Sequence, residues 1–132
     1  MITAKTVEIP RAHFLALSDL AASFEAIDAV RSLAHGSEYG HPGDILGSVL
    51  SEAWRVDPTA CTRIMATYIS HLRTECERVN RNNPKANLAA PTLEKVLKVL
   101  PFGINEGRHP WMTEDVWKQL VKQLGAEVAS IL

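Results

Sequence analysis

One stretch, residues 57–80, constrains the fold of this chain more than any other. Its apolar residues recur with the three- and four-residue steps of an amphipathic α-helix. This stripe consists of Cys61, Ile64, Met65, Tyr68, Ile69, Leu72, Cys76 and Val79. Asp57-Pro58 has the residue types of a helix start, a carboxylate N-cap followed by proline at the first helical position. A helix of this length spans on the order of 35 Å, so the other elements must pack against it.

Four further segments have a helical apolar period. In the first, residues 10–35, bulky residues from Phe14 to Val30 keep the period and small residues lie between them, a pattern that allows burial on more than one face. Ser18-Asp19 leaves open whether this segment is one helix or two. The other helices are predicted from Asp44 to Trp54, from Pro91 to Leu100, and over residues 113–131, with Thr113 as N-cap.

Glycine and proline separate these helices. Residues 35–43 and 101–112 are predicted to be loops, and residues 1–9 an extended arm lying on the helices, with a lone edge strand as the alternative. The sequence therefore predicts one all-α domain over residues 1–132, a compact bundle of about five helices around the central helix 57–80.

Composition limits the class of protein. The chain has 132 residues, of which 46% are hydrophobic, enough for one core and too apolar for a disordered chain. No apolar run is long enough to cross a membrane, and no signal peptide is recognised, so we expect a cytoplasmic protein. Cys61 and Cys76 lie about 22 Å apart if they share one helix, too far for a disulfide, so two buried, reduced thiols are expected.

One loop contains ligand types suited to a metal ion. His35, Glu38 and His41 follow one another at three-residue steps. The two histidines are six residues apart across glycines, whereas a helical zinc motif needs them four apart on one face. We therefore keep these three residues only as a weak candidate metal site, and a solvated loop is the favoured interpretation.

Other catalytic signatures are missing from the sequence. No serine lies in a Gly-x-Ser-x-Gly turn, and no Gly-x-Gly-x-x-Gly or Walker-type loop occurs. His71 and Cys76 lie about 140° apart around their helix and so do not meet within it. We expect no enzymatic activity and no cofactor. A metal-dependent enzyme at the His35 loop is the least favoured alternative.

Charge is divided unevenly along the chain. Residues 1–59 carry four basic and eight acidic side chains, whereas residues 60–132 carry ten basic and seven acidic ones. Basic residues with neighbouring asparagines can bind phosphates, so RNA or DNA binding by the C-terminal half is one hypothesis. Its candidate residues are Arg73, Arg78, Arg81, Lys85, Lys95, Lys98, Lys118 and Lys122. Acidic residues one turn away partly neutralise them, which also fits a solvated helix face.

Aromatic residues near helix ends indicate protein contacts instead. Trp54, Phe102 and Trp111 are the candidate interface residues, because exposed aromatics often anchor interfaces. The favoured prediction is a non-catalytic helical interaction module, a subunit or adaptor that docks on a protein partner or associates with itself. A nucleic-acid-associated subunit of a nucleoprotein complex, or a small regulator, is the alternative.

Overall fold

The structure, a computed structural model, describes residues 9–40, 44–105 and 113–132, with the backbone alone at residue 44 and residues 100–105. Five α-helices and no strand occur in these ranges. The helices are α1 (Arg11–Ala34), α2 (Asp44–Val56), α3 (Pro58–Asn82), α4 (Leu93–Asn105) and α5 (Glu114–Ile131). The predicted all-α bundle is therefore confirmed, and the predicted arm lies outside the described residues except for Ile9.

The central helix α3 has the predicted position. All residues of its predicted stripe are buried except Val79, which is half-buried against the core. Its start differs in one respect from the expectation, because the Asp57 side chain makes no capping hydrogen bond to the helix. The carboxylate instead accepts hydrogen bonds from Thr59 Oγ1 and Arg11 Nε, both at 2.6 Å. Arg11 of α1 and the Thr59 hydroxyl therefore bind the Asp57 carboxylate, which as an N-cap would accept a hydrogen bond from a backbone N–H of α3.

Two ion pairs show that α1 and α3 run parallel. Arg11 pairs with Asp57 near the start of both helices, and Arg63 Nη2 lies 2.8 Å from Asp19 Oδ2 two turns further along. Both partners advance along the chain together, so the helices point the same way. The return between them is made by α2, which the single residue Asp57 joins to α3.

Contacts at the start of α3 place α2 and α5 beside it. Cys61 Sγ donates to the Leu50 carbonyl at 3.5 Å, so α2 folds back on α3. Thr62 Oγ1 donates to the Glu127 carboxylate, so the end of α5 lies beside the start of α3. The buried residues of α5 are Trp117, Leu120, Leu124 and Val128. The core therefore surrounds α3, with α1, α2 and α5 in contact with it.

The face of α1 that packs on the core consists mainly of small side chains. Its buried residues are Leu15, Ser18, Ala22, Ala26 and Val30. The Ser18 hydroxyl donates to the Phe14 carbonyl at 2.7 Å, which satisfies the one polar group on this face and leaves the helix unbroken. The sequence left open one helix or two over residues 10–35, and the structure shows one. Since small side chains allow close approach of the backbones, α1 makes its most extensive contact with α3.

The connection from α3 to α4 is tied down by Asn80. Its side-chain amide donates to the Leu88 carbonyl at 2.9 Å and accepts from the Leu88 N–H at 2.7 Å. The preceding residue, Asn87, has a φ of 44°, a left-handed conformation that asparagine tolerates better than most residues. Asn80 is one of the asparagines that neighbour the basic residues of the nucleic-acid hypothesis, and in the structure its side chain has an intramolecular role.

The predicted loop at residues 101–112 is wrong at its start. The helix α4 continues through Pro101 to Asn105, and residues 106–112 lie outside the described part of the chain. A proline inside a helix removes one hydrogen bond, here to the Leu97 carbonyl, but does not by itself end the helix. The start of α5 is as predicted, because the Thr113 side chain caps the Val116 N–H at 3.3 Å.

The small-residue face of α1 can be tested by enlarging it. Ala26 is fully buried, so Ala26→Leu is expected to lower the free energy of unfolding by about 1–3 kcal/mol through overpacking. Ala16→Leu, on the exposed side of the same helix, is the matched control and should change it by less than about 0.5 kcal/mol. Chemical denaturation followed by circular dichroism gives both values, and equal stability of the two variants would contradict the packing described here.

Candidate interaction surface

Four large apolar side chains on α1 point into solvent. Leu17 is 58% exposed, Leu20 62%, Phe24 73% and Ile27 37%. We call these four residues the α1 seam. Single exposed apolar residues are ordinary on protein surfaces, but a contiguous group on one helix is a feature of docking surfaces.

The seam residues form one continuous row. Their steps of three, four and three residues are those of the a and d positions of a heptad repeat. Because each residue advances about 100° around the helix and 1.5 Å along it, the four positions fall within an arc of about 80° and a length of about 15 Å. Ala22 and Ala26 lie on the other side, where α1 packs on the core.

The size of the α1 seam is that of a functional patch. If a side chain of this kind has about 175 Å² of surface when fully exposed, the exposed fractions correspond to roughly 400 Å² of apolar surface. The largest apolar patch on a typical monomer is about 300–600 Å² and is often functional. Polar residues end the row on both sides: His13 before it, and Asp28 with Arg31, 3.9 Å apart, after it.

Of the aromatic residues predicted as interface anchors, the structure describes the side chain of Trp54 alone. Trp54 is half-buried and packs against the core at the end of α2. The side chain of Phe102, as well as Trp111, lies outside the described residues. The sequence does not indicate the α1 seam, because its bulky residues keep the same helical period as a stripe that faces the core. The available signal was the buried set of small residues at four-residue spacing on the opposite side of the same helix.

The predicted nucleic-acid-binding residues are all exposed and belong to three helices and one connection. Arg73, Arg78 and Arg81 lie on α3, Lys85 on the connection, Lys95 and Lys98 on α4, and Lys118 and Lys122 on α5. Arg78 pairs with Glu75, and Lys118 Nζ lies 3.6 Å from Glu114. On α3 itself, Arg73 and Arg78 are separated by about 140° around the axis. Nucleic-acid binding by this half stays a prediction.

The weak candidate metal site is only partly described. His35 and Glu38 are exposed in the connection after α1, whereas His41 lies outside the described residues. Within residues 9–40, 44–105 and 113–132, no group of three histidine, cysteine, aspartate or glutamate side chains is arranged to hold a metal ion. The three-residue set proposed from the sequence is therefore untested.

A shallow cleft of about 270 Å³ lies beside this connection. It is lined by Ala29, Ser32, Ser37, Glu38, Tyr39 and Gly40. The Tyr39 hydroxyl is hydrogen-bonded to the Tyr68 hydroxyl at 2.9 Å in the core. Burial raises the pKa of both phenols, that of Tyr68 to about 12, so both are neutral at physiological pH. The Tyr39–Tyr68 hydrogen bond therefore anchors the connection after α1 to α3, and the neutral phenols provide no reactive group.

The two cysteines are free and buried, as the sequence predicted. Burial, with a smaller effect from the charge of Asp57, raises the pKa of the Cys61 thiol to about 12. Burial also raises the pKa of the Cys76 thiol. A nucleophilic cysteine needs the opposite shift, so both thiols are in environments that favour a packing role.

Comparison with known proteins identifies no relative. No family model matches the chain, and no curated protein or solved structure is significantly similar to it. Among the helices of the described residues, none combines the length and the apolar character needed to cross a membrane. The surface geometry is therefore the basis for assigning a function.

The buried Tyr39–Tyr68 pair predicts how the stability of the fold depends on pH. The native pKa of Tyr68 is raised from 10.0 to about 12, and that of Tyr39 is also raised. Folding therefore favours the neutral phenols, and this contribution to stability is complete below pH 10 and lost as the pH rises from about 10 towards 12. The chain has two tyrosines, so the rise in absorbance at about 295 nm that accompanies tyrosine ionisation comes from this pair, above a background from the three tryptophans.

At pH 10 we expect that few of the tyrosine side chains are ionised. At higher pH the two tyrosines should ionise as the helical circular dichroism signal is lost. The chain unfolded in denaturant, as the control, should titrate near pH 10. Half-ionisation at pH 10 with the helical signal intact would show that the pair is not buried as described.

Proposed function

We propose that this chain is a non-catalytic helical interaction module, a subunit or adaptor that docks on a protein partner or on a copy of itself through the α1 seam. The observation that supports the proposal is the exposure of Leu17, Leu20, Phe24 and Ile27 in one row on a well-anchored helix. Two ion pairs and the small-residue contact hold α1 against α3, so the row is presented on a rigid element.

The free energy available from the seam supports docking of moderate strength. Covering roughly 400 Å² of apolar surface at about 25 cal/mol per Å² contributes at most about 10 kcal/mol on this side of the interface, and only the surplus over the costs of association appears as affinity. Association costs about 4–15 kcal/mol in lost freedom of motion. The balance is favourable when the partner supplies a comparable apolar surface, so the partner should present a row of aliphatic or aromatic side chains.

The remaining chemistry of the described residues fits a module without catalysis. The thiols and phenols are neutral and buried, and the cleft beside Tyr39 is lined by one charged side chain, Glu38. Two buried, free cysteines on one helix also fit a reducing compartment, and we propose a cytoplasmic location on that basis.

The test is a charge placed in the seam. Phe24→Glu should abolish recovery of cross-linked partners, including a second copy of the chain, because it would bury an unpaired carboxylate at the centre of the contact. Ile45→Glu is the matched control, since Ile45 is 62% exposed on α2 and outside the seam. Quantitative mass spectrometry after cross-linking in cells compares both variants with the wild type.

The expected result is a set of proteins shared by the wild type and Ile45→Glu and depleted at least tenfold with Phe24→Glu. Thermal unfolding of the purified variants confirms that both are folded. The proposal fails if the recovered set is the same for all three chains, or if no protein and no second copy is recovered with the wild type.

A further inference from the structure

We infer that the occupant of the α1 seam is a second copy of this chain, with the two α1 helices antiparallel about a two-fold axis at the level of Ala22. The inference rests on the proposed function and names its partner. The spacing of the seam residues, the charges at its two ends and the area that the contact covers all support this arrangement.

The seam is self-complementary in the antiparallel direction. Leu17 and Ile27 are each five residues from Ala22, and Leu20 and Phe24 are each two residues from it. When two such helices pair antiparallel about that level, Leu17 faces Ile27 of the second copy and Leu20 faces Phe24. Every exposed apolar residue of the row then packs against another apolar residue, as in a short coiled coil.

The ends of the row select the direction and the register. The next positions on the same side of the helix are His13 and Arg31, each nine residues from Ala22. In the antiparallel pair, Arg31 faces His13 of the second copy, and Asp28 lies beside both. A parallel pair would place Arg31 against Arg31, and like charges in direct opposition are unfavourable.

A shift of one heptad is also excluded by the ends. It would bring Phe24 against His13 in one direction, or Leu20 against Arg31 in the other, and half of the apolar residues would lose an apolar partner. Flanking residues Ala16, Ala21 and Ser23 of α1 are small, which favours an approach of the two helices to about 8–10 Å.

The area is that of a reversible dimer. Two seams bring together roughly 800 Å² of apolar surface, and specific interfaces cover about 1,200–2,000 Å² in total once the polar rim is included. The apolar area alone lies below that range, as in weak and transient complexes. We therefore expect a dissociation constant in the micromolar range rather than an obligate dimer.

The first measurement is sedimentation equilibrium of the whole chain from about 1 to 300 µM. The wild type and Ile45→Glu should change from monomer to dimer over this range with the same dissociation constant. Phe24→Glu should weaken the dimer at least tenfold. The inference is overturned if the wild type stays monomeric throughout, or if Phe24→Glu dimerises like the wild type through another surface.

The second measurement determines the direction of the helices. His13→Cys and Arg31→Cys are prepared as separate chains, mixed, and treated with a short bis-maleimide. In the antiparallel pair the two different cysteines are adjacent, whereas two copies of the same cysteine are about 27 Å apart. Cross-linked heterodimers should therefore form and homodimers should not.

The control for this experiment is the wild-type chain, whose own cysteines are buried. Efficient cross-linking of either single variant with itself would show a parallel pair and overturn the inference. A monomeric wild type that still loses captured partners on Phe24→Glu substitution would refute the dimer while leaving the proposed docking function intact. If both measurements fail and no partner is recovered, the dimer and the proposed docking function are both refuted.

Discussion

The close contact between α1 and α3 is the constraint on which the rest of the structure depends. Because α1 meets the core with Ser18, Ala22 and Ala26, its backbone can approach α3 closely and the ion pair of Arg63 with Asp19 can form beside the contact. Because these small residues face the core, the bulky residues of α1 lie on the solvent side of the helix. Packing and the proposed docking therefore use opposite sides of one helix, since the bulky residues left on the solvent side are those of the α1 seam.

A buried polar contact completes this arrangement at the other end of α1. The connection that follows the helix brings Tyr39 into the core, where its hydroxyl meets that of Tyr68, the largest fully buried side chain. Buried hydroxyls need partners, so the pair specifies one position for the connection where apolar packing alone would allow several. A second tie of this kind, between Asn80 and Leu88, fixes the connection after α3.

The sequence predicted the elements well and their exposed faces poorly. The period of α3 is unambiguous, because its apolar residues form one stripe with charged residues opposite, and its position is correct within two residues. On α1, apolar residues occur on both sides, so periodicity cannot tell which side is buried, and tertiary packing decides it. The hydrogen bonds between Asn80 and Leu88, eight residues apart, are likewise a contact that helical periodicity does not indicate.

The parallel course of α1 and α3 also has a consequence for the order of folding. The pairs that join them are 46 and 44 residues apart, whereas the contact of α2 with α3 spans 11 residues. Since closing a shorter loop costs less entropy, α2 and α3 should form a hairpin first, and α1 should dock on it later. Pulse-labelled hydrogen exchange during refolding would then show amide protection in α3 before α1. On the ribosome, the contact between α1 and α3 could be completed only after α3 has emerged.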